Sequence, residues 1–153
     1  MDDAYDETTP GKRPVSPAVR VAAVLHVALG LGFGGGAIVS LLHLERTGEL
    51  PMTPFGFRAL AGGPFDRFGW PTFKALAWIL VAVSALDLLA GRWSWQGRRQ
   101  GAWLAQATNP IAFVLAVGFA LPFLLIGVPI RAVLMAVGRR GARPASRSDT
   151  IRQ

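Results

Sequence analysis

The sequence predicts an all-α protein, a four-helix transmembrane bundle with a long extracytoplasmic loop between spans one and two, and three observations predict it. Of 153 residues, 52% are hydrophobic and 16% charged, where a soluble domain carries about one quarter charged residues. Segments 21–42, 75–86 and 111–130 contain no Lys, Arg, Asp or Glu. The basic residues, 14 Arg and 2 Lys, lie mostly beside those segments, as the orientation of spans in a bilayer requires.

Residues 1–18 are polar, with Pro10, Pro14 and Pro17, and read as a flexible cytoplasmic tail. Asp2, Asp3, Asp6 and Glu7 do not fit the basic start of a signal peptide, so the apolar stretch that follows is expected to be a retained span. Span one is placed at 19–44, longer than the roughly 20 residues a bilayer needs. Residues 45–71 form the outer loop, broken repeatedly by Gly and Pro. Its Phe55, Phe57, Phe65, Phe68 and Trp70 suit a lid over the bundle, with Arg58, Asp66 and Arg67 left wet. Span two covers 72–90. The 37 residues of 102–138 would make a single helix of about 55 Å, nearly twice the apolar thickness of a bilayer. Two short spans, 102–118 and 122–138, are therefore expected, with Pro122 opening the second. Residues 139–153 form a basic cytoplasmic tail.

Charge counting sets the orientation. With both termini cytoplasmic, the inner segments hold eleven Lys and Arg, against Arg46, Arg58 and Arg67 outside and Lys74 at the edge. Trp70, Trp93, Trp95 and Trp103 fall near the expected interfaces. The expected location is the cell membrane, with the bilayer and its anionic cytoplasmic lipids as first partners. A sequence pI near 11.5 would suggest nucleic acid in a soluble chain, but here topology accounts for it and no nucleic-acid partner is expected.

The run Gly30-Leu-Gly32-Phe-Gly34-Gly35-Gly36 matches the dinucleotide fingerprint in form, but lacks the strand and βαβ unit that the fingerprint needs. Gly30, Gly32, Gly34 and Gly36 instead offer small residues at four-residue spacing, a candidate helix-packing face. His26 and His43 are seventeen residues, about 25 Å, apart on one helix and cannot share a metal ion unless the glycine run breaks that helix sharply. Without cysteine there is no thiolate site or disulfide, and no catalytic, cofactor or metal signature is recognised.

Depth arithmetic singles out another set. At 1.5 Å per residue, His26 lies about 10 Å inside the cytoplasmic face, Asp87 about 5 Å, Gln106 about 6 Å, and Asn109 and Arg131 about 10 Å. Each span thus contributes to a candidate intramembrane polar cluster of His26, Asp87, Gln106, Asn109 and Arg131, centred on an Asp87–Arg131 pair. Charges in a membrane interior usually face the bundle and find partners. Arg131 snorkelling to the headgroups, with Asp87 at the interface, is the simpler alternative.

The loop TGELPMTPFGFRALAGGPFDRFG, with GFALPF and RAVLMAVGRR downstream, resembles small integral membrane proteins of high-GC bacteria. The resemblance covers most of residues 20–140 and implies four spans; no established activity comes with it. Three functions remain open. The first is a non-catalytic accessory or assembly partner; the partner expected on that reading is another membrane protein, whereas a homo-oligomer would favour the second. The second is a small-solute or ion transporter acting as an oligomer. The third is a lipid-modifying enzyme with His26 and Asp87 as acid–base groups.

Overall fold

A computed structural model describes residues 15–54 and 56–140. Phe55 and most of both expected tails, 1–18 and 139–153, lie outside the described residues. Among the described residues there are four α-helices: α1 Pro17–Thr47, α2 Gly69–Trp95, α3 Arg99–Gly118 and α4 Pro122–Arg140. Helix α1 and the stretch Pro64–Trp95 are each long and apolar enough to cross a membrane; Pro122–Gly138 is a shorter apolar helix.

Local chemistry sets the ends. At the start of α1 the Ser16 hydroxyl accepts from the Val19 N–H at 3.4 Å, and Pro17 takes a position where its missing N–H costs nothing. Gly48, at φ 76°, ends α1 by donating its N–H to the Leu44 carbonyl at 2.9 Å. The helices therefore begin earlier or end later than the apolar spans, because caps and not hydropathy stop them. Between α3 and α4 only residues 119–121 remain. Leu121 N–H bonds the Ala116 carbonyl at 2.8 Å and Ala120 N–H the Val117 carbonyl at 3.1 Å, with Ala120 held at φ 50°.

Close approaches show that neighbouring helices run antiparallel. Gly34 and Gly30 of α1 meet Ser84 of α2, whereas Ala23 and Val27 meet Gly91. Gly101 of α3 lies against Trp93, while Thr108 bonds Asp87. In α4, Gly127 meets Leu29 and Gly138 meets Val19. Each helix packs on the next and α4 closes on α1, so the four make a four-sided up-and-down bundle. The glycine face divides here. A Cβ on Gly30 would lie 2.9 Å from the Ser84 carbonyl oxygen, and one on Gly34 would lie 2.7 Å from Ser84 Cβ. Gly32 and Gly36 point into open space and take no part in this packing. The two pairs stand two residues, about 200°, apart around the helix, so only one of them can face α2.

The segment between α1 and α2 folds over one end of the bundle. Its Leu50 and Leu60 are buried with Leu41, Leu44, Phe73 and Phe119. A 3-10 turn, Pro64–Phe68, brings Phe65 edge-on to Phe119 with centroids 5.0 Å apart, and Phe73 meets the same ring at 5.3 Å. Gly63 and Gly118 make the seam: a Cβ on Gly63 would run into the Gly118 carbonyl, and one on Gly118 into the Phe65 ring.

Polarity is arranged inside out. Phe123 is 75% exposed and Trp103 71%, with Val39, Ile126 and Val133 also turned outward, whereas Arg131 is 0% exposed. Alanine dominates the interior, at Ala22, Ala37, Ala77, Ala90, Ala105, Ala112 and Ala116. Small inward residues let four backbones approach closely, and the larger side chains are left on the outer surface.

Candidate functional site: a buried polar network

Five polar residues meet in the bundle interior, at least one from each helix. His26 comes from α1, Asp87 from α2, Thr108 and Asn109 from α3, and Arg131 from α4. All are less than one-tenth exposed. They form a layer because the helices present them at matching heights. His26 is nine residues from Pro17, Asp87 eight from Trp95, Thr108 nine from Arg99 and Arg131 nine from Arg140, all measured from the same bundle end. At 1.5 Å per residue the layer lies about 12–14 Å in from that end.

Asp87 is the hub. Its Oδ2 accepts from Arg131 Nη1 at 2.6 Å, and its Oδ1 accepts from the Thr108 hydroxyl at 2.9 Å. His26 Nδ1 stands 3.3 Å from the same Oδ1; since a carboxylate only accepts, the tautomer with hydrogen on Nδ1 makes this bond. Arg131 reaches diagonally across the bundle from α4 to α2, and on the way its Nε donates to Asn109 Oδ1 at 2.9 Å. An opposite-charge pair of this length, with further hydrogen bonds to the carboxylate from Thr108 and His26, is the form in which charge can be held away from water.

The network is not saturated by protein groups. His26 Nε2, Asn109 Nδ2 and Arg131 Nη2 are buried without a hydrogen-bond partner among the described residues, as is Ser94 Oγ nearer the chain end of α2. Each such group costs about 1–3 kcal/mol relative to a satisfied one, so the cluster is held by the bundle around it as well as holding it. Chemically, the arrangement can cross-link four helices through charge-assisted bonds.

Of the residues singled out by sequence, His26, Asp87, Asn109 and Arg131 lie together, and Arg131 bonds inward to Asp87 instead of snorkelling outward. Gln106 does not join them; it is exposed on the outer face of α3. Two residues of helix place it about 200° from Thr108, on the opposite side. Thr108 was missed: it lies with Ala105, Ala112 and Leu115 on the buried stripe of α3, but the opposite face is also apolar, so spacing alone does not single that stripe out. His43 is exposed and stands apart from the network. Compared with known protein families, curated proteins and solved structures, the chain matches none.

Proposed function

We propose that the chain is a multi-pass integral membrane protein of four spans, with both ends cytoplasmic, acting non-catalytically as an accessory or assembly partner of another membrane protein. The inside-out distribution of polarity carries this reading. Large apolar side chains cover the outside of all four helices, while the charged pair is sealed within. A belt of that extent is at home in lipid and is unstable in water. Helices α3 and α4, of 20 and 19 residues, are each about 30 Å long, the thickness of the apolar layer.

Charge supports the orientation. Arg20, Arg92, Arg98 and Arg99 lie at the end where α1 begins and α2 ends, and no carboxylate accompanies them among the described residues. The opposite end carries Glu45, Glu49 and Asp66 among its Arg46, Arg58 and Arg67. The cationic end belongs at the cytoplasmic leaflet, against anionic lipids. Its sealed network gives the protein a rigid frame, because no solute reaches Asp87 or Arg131 without separating helices.

The test is a tagged pull-down from native membranes in mild detergent, read by mass spectrometry and by the native mass of the eluate. A stoichiometric partner protein is expected. Elution as a homo-oligomer without a partner would overturn the accessory reading. It would favour the second one, a transporter, for which the unpartnered Arg131 Nη2 and His26 Nε2 speak. On that reading D87N and R131A abolish a flux while protein levels hold.

A further inference from the structure

Helices α1 and α2 leave a groove of about 470 Å³ on the outside of the bundle, toward its cationic end. Small residues open it: Gly91 has no side chain, and Ala28 does not fill the space opposite. A Cβ on Gly91 would already meet Val27 at 2.8 Å, so the helix pair is as close as it can be and the groove is built into the packing. The walls along α1 are apolar, with Val24 half exposed at 53% and Leu31 at 61%.

The groove ends in polar chemistry on one side only. Arg92, Trp95 and Gln96 of α2 line it there. On α1, Arg20 lies four residues before Val24, hence on the same helix face one turn nearer the end, and it is exposed. Neither arginine has an ion-pair partner among the described residues. The described carboxylates are Asp87, already paired inside, and Glu45, Glu49 and Asp66 at the far end. Trp95, half exposed between the apolar wall and the arginines, has the amphipathic character that suits headgroup depth.

An apolar channel with two free cations at one end, about one helical turn apart in height, matches an amphiphile with a hydrocarbon tail and an anionic head. We infer that this groove is a site for one anionic phospholipid. Its acyl chain lies along Val24, Val27 and Leu31, and its phosphate sits between Arg20 and Arg92. The inference rests on the reading of the chain as a membrane protein. It goes further than general attraction to an anionic leaflet, because it assigns one lipid to one place.

The experiment uses the full chain. Membranes are first washed with alkaline carbonate. Protein that leaves with the wash overturns the membrane reading itself. Retained protein is purified in mild detergent and mixed with phosphatidylglycerol or phosphatidylcholine of identical chains, and adducts are counted by native mass spectrometry. One phosphatidylglycerol should be retained in preference to phosphatidylcholine. R20Q and R92Q should each reduce that preference about fivefold, and the double variant about thirtyfold. A28W fills the groove without changing charge and should remove the adduct. R98Q/R99Q removes the same charge from the cap and first residue of α3 and should leave it. All of these side chains are exposed, so the folded bundle should be unaffected, which an unchanged thermal midpoint verifies. Absence of headgroup preference in carbonate-resistant protein, or equal loss in R20Q/R92Q and R98Q/R99Q, would overturn the groove inference and leave the membrane reading standing.

Discussion

Replacing Arg131 by methionine keeps most of the volume of a fully buried side chain and removes the charge that faces Asp87 at 2.6 Å. The Asp87 carboxylate is then left with only the Thr108 hydroxyl and His26 in an interior where Asp87 is 4% exposed. Asp87→Asn makes the reciprocal change, leaving the guanidinium against a neutral amide and Asn109. Breaking one side of a buried pair costs about 3–5 kcal/mol, most of it from the charge left behind. Each single variant should therefore lose about 3 kcal/mol. Removing both charges leaves no unpaired ion, so D87N/R131M should lose about 2–3 kcal/mol, no more than either single variant, and not the sum of about 6. The coupling of about 3 kcal/mol corresponds to roughly 150-fold in the ratio of folded to unfolded protein. The assay is reversible unfolding in mixed micelles along a denaturing-detergent series, with helicity and protease resistance as independent probes of two-state behaviour. Additivity of the two single losses within about 0.5 kcal/mol would refute direct pairing of Asp87 with Arg131.

The glycines of α1 give a second contrast in the same assay. G30A and G34A, which meet Ser84, should each cost about 1–3 kcal/mol, while G32A and G36A, which meet nothing, should be neutral or gain up to about 1 kcal/mol of helix propensity. Ala120 sits at φ 50°, where a side chain is strained, so A120G should raise stability by about 0.5–1 kcal/mol as followed by its thermal midpoint; destabilisation would count against the left-handed turn. At the capped end, G118A drives a methyl into the Phe65 ring and should expose the segment between α1 and α2 to limited proteolysis, with the helices still protected. Cleavage at the rate of the parent chain would argue against the lid.

How much was legible follows from which features are local. Ser16-Pro17 and Gly48 mark the ends of α1 in the sequence itself, and Pro122 marks the start of α4 after a stretch too long for one span. Charge-free runs located the helices, and depth counting brought His26, Asp87, Gln106, Asn109 and Arg131 to within about 5–10 Å of the same face. Rotation about each helix axis was not legible. In α3 the outer and inner faces are both apolar, so Gln106 and Thr108 are equally good candidates until packing turns one of them outward. Gly30/Gly34 and Gly32/Gly36 pose the same problem, and Ser84 of another helix decides it. The seam of Gly63 with Gly118 joins residues 55 apart in the chain, which no local pattern announces.

That missing rotational signal explains why a bundle of this composition holds an ion pair at all. Ala22, Ala37, Ala77, Ala90, Ala105 and Ala112 make smooth interior faces, and α1 turned by one residue would still present Val24, Val27, Leu31 and Gly35 to its neighbours. Van der Waals packing of such surfaces barely separates one rotation from the next. The polar layer separates them sharply, because turning α2 or α4 by 100° moves Asp87 or Arg131 from its partner to the apolar exterior. Buried ionic groups often add little net stability, and here their contribution is a single register. D87N/R131M should then keep nearly the helix content of the parent while losing uniqueness. A cysteine pair engineered across α1 and α2 beside the Gly34–Ser84 contact, at positions whose Cβ atoms lie about 4 Å apart and leaving Gly34 and Ser84 themselves intact, should cross-link fast and completely in the parent frame. In the charge-free frame it should cross-link more slowly and incompletely, with products at neighbouring positions. Cross-linking at the parent rate in both frames would show that alanine and glycine packing alone sets the register and that the network serves another purpose.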